Sequence, residues 1–239
     1  HDDLLLTANG VVNLQTGNVT PFDPDLLITQ KVNVVYNPEA TAPRWEKFLL
    51  EVMRDDQEMV DFLRRLTGYA CTGHTIEQCF VIHYGLGSNG KSVFLDTLAG
   101  LFSGIYQQAE MQTFLKRDNS SSSNGIAKLR GARLVVASEG NANDRMGEAL
   151  LKQVTGDANV TARFLFKEYI TFTPKFLLSI ASNHKPRFIS ADDGLWRRVK
   201  LVKWGRKFTA DEQDRTLMKT LQTEYEGILA WAVRGAIEW

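Results

Sequence analysis

The eight residues GLGSNGKS, 85–92, constrain this chain more than any other stretch. They follow an apolar run, CFVIHY (79–84), and precede VFLDTLAG, whose apolar residues recur at helical spacing. The pattern G-x-x-x-x-G-K-S between a strand and a helix is a phosphate-binding turn. Glycines let successive backbone N–H groups curl around one anion, and a helix start adds partial positive charge at the same place. Gly85, Leu86, Gly87, Ser88, Asn89 and Gly90 therefore read as a nucleotide cradle. Lys91 would reach the β- and γ-phosphates, and the Ser92 hydroxyl would ligate Mg²⁺. The expected cofactors are ATP and Mg²⁺.

The rest of the chain supplies a setting for such a turn. CFVIHY, GARLVVASEG (131–140), KFLLSIASN (175–183) and WRRVKLVKW (196–204) read as four strands separated by helical stretches, which predicts an α/β domain with a largely parallel sheet. Ahead of them, residues 10–20 read as a hairpin turning at Thr16-Gly17. Residues 43–53 and 57–66 carry helical spacing, with Gly68 as the expected stop. Residues 118–125, DNSSSSNG, can bury almost nothing and read as a mobile loop. Residues 210–237 should form one or two helices packed back on the domain. The expected division is a hairpin and helical region over 1–75, an ATPase core over 76–207 and a helical segment over 208–239.

A phosphate loop needs an acid at the end of a neighbouring strand. LVVASEG offers Glu139, which can polarise an attacking water and help hold a metal. Ser138 precedes it where an aspartate would ligate metal, so the ion would rest mainly on Ser92, phosphate and water. Asn183 ends the next strand and could bond the γ-phosphate or the water, although Asn before a turn is also ordinary loop chemistry. Arg197 and Arg198 could stabilise a transferring phosphoryl group, or simply be solvated. His74, His83 and His184 show no acids at metal-ligand spacing, and His83 reads as a core histidine.

The net charge is zero but unevenly spread, with twelve Lys and Arg against four acids over residues 151–207. That excess fits either a polyanion partner or a solvated basic face. With no apolar run near membrane length, no leader and only Cys71 and Cys79, the chain reads as a reduced, cytoplasmic protein with no membrane contact. The first residue is His1 and not Met, so the chain reads as a fragment.

Four stretches in order, GLGSNGKS, RLVVASE, LKQVTGDANVTARFLFKEYITFTPKFLLSIASN and WRRVKLV, resemble the superfamily 3 helicases, above all the primase–helicases of phages, plasmids and poxviruses. NGVVNLQTGNVTPFDPDLLIT and LTGYACTG resemble the region that precedes the ATPase in that family. The resemblance implies an AAA+-like P-loop domain: a central parallel sheet, an inserted β-hairpin, a small helical subdomain and an N-terminal hairpin. It implies an ATP-driven DNA helicase forming a homo-oligomeric, hexameric ring on single-stranded DNA during replication. Lys91 and Ser92 are then the Walker A pair, Glu139 the Walker B acid and Asn183 the sensor. Lys152 is the basic residue offered to nucleotide near the subunit interface. Arg198, in preference to Arg197, is the arginine finger. ARFLFKEYITF resembles the hairpin that enters the ring channel, with Lys167 near its tip and Arg163 on its strand as DNA contacts. Many members also carry a primase domain on the full-length chain. Two other readings stay open on sequence alone: a non-helicase P-loop ATPase, such as a packaging or defence motor, and a nucleic-acid-binding assembly module.

Overall fold

The computed structural model describes residues 1–116, 123–138, 145–156, 159–184, 188 and 193–239. In chain order the strands are β1 (Leu4–Leu6), β2 (Val11–Asn13), β3 (Val19–Thr20), β4 (Phe80–Tyr84), β5 (Tyr106–Glu110), β6 (Leu134–Ser138), β7 (Val160–Arg163), β8 (Tyr169–Phe172), β9 (Leu177–Ser182) and β10 (Val199–Lys203). The α-helices are α1 (Pro43–Met53), α2 (Gln57–Cys71), α3 (Lys91–Leu101), α4 (Asn124–Ala127), α5 (Glu148–Val154), α6 (Asp193–Trp196), α7 (Leu217–Thr223) and α8 (Tyr225–Glu238). They fall into two units. The first gathers His1–Gly73, Gly87–Ile105 and Trp204–Trp239; the second gathers His74–Leu86 and Tyr106–Lys203.

In the first unit, β1, β2 and β3 form an antiparallel sheet. The expected β2–β3 hairpin is present, with Gly17 at φ 75° in its turn and the Asn13 side chain accepting from the Gln15 and Thr16 amides. Helix α1 starts at Pro43, which has no N–H to leave unbonded. Its next two amides, of Arg44 and Trp45, are capped by the Glu224 carboxylate at 3.0 and 2.9 Å. Helix α2 starts where Asp56 accepts from the Met59 amide at 3.0 Å.

The expected stop at Gly68 is corrected: α2 runs through it to Cys71. A Cβ on Gly68 would sit 2.0 Å from the Ala236 nitrogen, and one on Gly235 would sit 2.0 Å from the Arg64 carbonyl oxygen. Gly68 is therefore there for the close approach of α2 and α8, not for termination. The same unit holds an aromatic cluster. Trp45 stacks on Phe94 of α3 at 5.5 Å and meets Trp231 of α8 edge-on at 5.5 Å, while Phe94 also touches Trp204 at 5.3 Å. These rings hold α3 by apolar burial and by ring geometry.

The second unit is built on a five-stranded sheet in the order β10-β4-β9-β6-β5, with every pairing parallel. Strand β9 is buried along its whole length, and β4 buries four of its five residues, His83 among them. This explains their unbroken apolar texture. The edge strand β5, YQQAE, is mostly polar and gives no such signal. One expectation fails here. The strand leading to Glu139 is not next to β4, because β9 lies between β4 and β6.

From β4 the chain crosses to β5 on one side, and from β9 it crosses to β10 on the other. The switch point is therefore the gap between the carboxyl ends of β4 and β9, where open parallel sheets bind ligands. Strands β7 and β8 form the inserted antiparallel hairpin. Within the stretch expected to be a serine-rich loop, Asn124–Ala127 is helical and 118–122 lie outside the described residues.

Candidate functional site

GLGSNGKS leaves β4 at the switch point and enters α3. Its first residue is tied to the sheet: the Gly85 amide donates to the Ser182 carbonyl at the end of β9, 3.2 Å away. The later residues are shaped by left-handed backbone, with Gly87 at φ 94°, Ser88 at 49° and Gly90 at 84°. Nothing lies within 4 Å of the position a Gly87 Cβ would take, so the cradle is open there. At Gly90 the reverse holds. A Cβ would come within 2.4 Å of Val52 and 3.0 Å of Phe48, so only glycine fits both the dihedral and the space.

Asn89, counted in the sequence as part of the cradle, is buried and braces the loop. Its Nδ2 donates to the Trp204 carbonyl at 3.2 Å and its Oδ1 accepts from the Lys91 amide at 3.2 Å. The Phe208 amide adds a bond to the Ser88 carbonyl at 2.8 Å. The loop is thus held in shape by the chain's C-terminal segment, which the motif alone does not reveal.

Lys91 is only 6% exposed, and burial pushes its ammonium below the usual lysine pKa. A buried cation at a helix start, under a turn of left-handed residues, fits the phosphates of a nucleotide. Ser92 is exposed on the first turn of α3. Among the described residues no three His, Cys, Asp or Glu side chains come together to hold a metal. A metal here would rest on Ser92 and on substrate phosphates.

In the second unit, Ser182 pairs with Tyr84, and Ser138 pairs with Ala181. The carboxyl ends of β4, β9 and β6 are thus level. Asn183 follows directly on the residue bonded to Gly85 and is exposed. Glu139 is the residue after β6 and lies outside the described residues. Lys152 is half-buried on α5.

The two arginines separate. The Arg198 guanidinium donates through one nitrogen to the Thr155 hydroxyl at 3.2 Å, the Thr155 carbonyl at 3.4 Å and the Gln78 carbonyl at 3.3 Å. Arg197 is exposed. Arg198, preferred in the sequence as the finger, is engaged with its own chain.

The hairpin has two unlike faces. Val160 and Ala162 are buried, with Ile170 and Phe172 packed against the same core. Thr161, Arg163, Tyr169 and Thr171 face solvent. On that outer face the threonine hydroxyls bond at 3.0 Å, and the Arg163 guanidinium lies 4.9 Å from the centre of the Tyr169 ring. Lys167 is exposed in the connecting turn, as expected. The sequence reading missed what precedes it: Phe164, Leu165 and Phe166 are also exposed. Read as a run, FLF looks like buried strand, and only the register shows that it is the turn.

Residues 1–54 match a family model described as D5 N terminal like, and residues 83–198 match a family of unknown function (DUF5906). A protein of Acanthamoeba polyphaga mimivirus, provisionally named a helicase, is 30% identical over 217 residues, covering 88% of this chain and 22% of that protein. A provisionally named primase of African swine fever virus is 24% identical over 214 residues, covering 86% of this chain and 22% of that protein. The chain therefore spans about a fifth of the length of these viral relatives. The C-terminal region of NrS-1, solved in apo form, has the same fold, with a TM-score of 0.63 at 17% identity over 87% of this chain and 50% of that one. The D5-type front end and the viral relatives named helicase and primase support placing this chain with the viral primase–helicases, and the likeness to NrS-1 shows a shared fold.

Proposed function

We propose that this chain is the ATPase motor of a replicative DNA helicase, hydrolysing Mg-ATP to move along single-stranded DNA as a ring of identical subunits, expected to be six. The observation that carries the reading is the buried Lys91 at the start of α3, beneath a left-handed, braced glycine loop that leaves β4 at the sheet's switch point. Supporting it are relatives named as helicase and primase.

In this reading the loop amides and Lys91 hold the β- and γ-phosphates. Glu139 takes up a proton from the attacking water, and Asn183, beside the loop's first residue, orients that water or the γ-phosphate. Mg²⁺, when bound through Ser92, neutralises charge on the phosphates. Lys152 adds positive charge near the nucleotide. Arg197, exposed on the surface, is the finger that reaches nucleotide held by the adjacent subunit. Lys167 and Arg163 contact DNA phosphates. A primase domain on the full-length chain and a cytoplasmic setting complete the proposal.

Mg-ATP hydrolysis by three proteins tests it. The wild type should hydrolyse ATP, and Lys91→Ala should lose nucleotide binding and turnover together. Glu139→Gln should bind ATP but turn it over about 10²–10⁴-fold more slowly, the range of a general base. A wild type that binds no ATP would overturn the proposal, and a Glu139→Gln protein of normal rate would remove Glu139 from the mechanism.

A further inference from the structure

The turn of the β7–β8 hairpin breaks a local rule. The Lys167 amide donates to the Phe164 carbonyl at 3.1 Å, closing a turn over Leu165 and Phe166. Phe166, the third residue of that turn, has φ 60°. Glycine or asparagine normally fills such a position, because a Cβ there is strained. Here it carries a phenyl ring that is 96% exposed, next to Leu165 at 61%. Backbone strain and an apolar ring in water are both unfavourable, and at 96% exposure the ring gains almost no burial among the described residues. Strain of this kind concentrates where a ligand is bound.

The root of the hairpin is fixed. Val160 and Ala162 are buried, and the Arg163 amide donates to the Ser123 hydroxyl at 2.8 Å. The ring is therefore presented by a positioned support, not by a free tail. The charge nearby is mixed in the turn and basic in the wider stretch: Lys167 and then Glu168 follow the ring, Arg163 lies on the hairpin's outer face over Tyr169, and residues 151–207 have three times as many bases as acids. An exposed ring next to a lysine, in a stretch with an excess of bases, matches unpaired nucleic acid, which offers base faces for stacking and phosphates for charge.

We infer that Phe166 is a stacking platform for an unpaired base, so that the hairpin holds single-stranded DNA by base faces as well as by phosphate. This rests on the reading that the chain binds single-stranded DNA, and the two can fail separately.

The test compares a thymidine oligonucleotide with an abasic oligonucleotide of equal length, titrated against wild type, Phe166→Ala and Phe166→Trp at fixed salt. Stacking one base on one aromatic ring corresponds to roughly 5- to 150-fold in affinity. Wild type should prefer the base-bearing strand by a factor in that range. Phe166→Ala should lose that preference while retaining the affinity for the abasic strand, which phosphate contacts set. Phe166→Trp should keep it. An equal preference in wild type and Phe166→Ala would overturn the inference while leaving DNA binding intact. Failure of wild type to bind either strand would overturn the functional reading itself. A DNA-free particle mass that falls on Phe166→Ala would assign the tip to contact between copies of the chain and would also overturn the inference.

Discussion

Lys91 enters the fold as a cation largely stripped of water, and burial holds its pKa below the ordinary value of 10.5. The unfolded chain binds that proton more tightly, so stability rises with pH as the lysine loses its charge through its lowered folded pKa and on toward 10.5. Below that window the full cost of the buried charge is present. Lys91→Met keeps most of the length and apolar stem while removing the charge. Thermal unfolding at neutral pH should show a higher Tm for Lys91→Met without nucleotide, and no further rise with Mg-ATP. A lower Tm, or a retained nucleotide shift, would contradict this account of Lys91. The adjacent arginines offer a second contrast. Arg198→Ala removes charge-assisted bonds to Thr155 and Gln78 and should cost about 1.5–3 kcal/mol of stability. Arg197→Ala, at an exposed site, should stay within about 0.5 kcal/mol of wild type. Its ATP turnover should nevertheless fall about 10³–10⁵-fold, the range of an arginine finger. Denaturant melts and turnover of both variants check this; a destabilised Arg197→Ala or a fully active one would reverse the assignment. The sequence could not separate neighbours that share a charge and a motif. Only the partners of Arg198 do so.

At the scale of elements, the α2–α8 crossing is the sharpest packing constraint. Gly68→Ala would place a methyl 2.0 Å from backbone nitrogen, and backbone cannot step aside as a flexible side chain can. Overpacking of this kind typically costs about 1–3 kcal/mol, with the upper end expected here. A melt showing Gly68→Ala as stable as wild type would show that the helices can separate at no cost. The same glycine shows where sequence reading stops. An isolated glycine in a helical pattern reads as an end, and its partner Gly235 is near the far end of the chain. Strands β4, β6 and β9 were legible because their buried runs are continuous or nearly so, and β10 because apolar and charged residues alternate along it. Strand β5 was not, because an edge strand can be polar. Helix α3 was legible from the motif that opens it, while Asn89, the residue bracing that motif, looked like one more turn residue.

For the whole molecule, the phosphate loop, the parallel sheet and the inserted hairpin could be read from the chain, but the strand order could not. Parallel pairing is set by crossovers, and nothing local records that β9 slips between β4 and β6. That order has a functional meaning in the proposed mechanism, since Asn183 directly follows the β9 residue bonded to Gly85, while β6, the strand that precedes Glu139, is one strand further from β4. If Arg197 acts on the neighbour's nucleotide, specific ATPase activity should rise with protein concentration. Mixing inactive Arg197→Ala subunits with inactive Lys91→Ala subunits should also restore part of it, since some interfaces then pair an intact loop with an intact arginine. Full activity in a dilute monomer would exclude action between subunits. The central claim is that hydrolysis drives movement on DNA, and strand displacement from a forked duplex tests it most directly. The wild type should release the displaced strand with Mg-ATP but not with a non-hydrolysable analogue, and Lys91→Ala should release none. ATP turnover with no strand released, under conditions where the protein is bound to the fork, would contradict it.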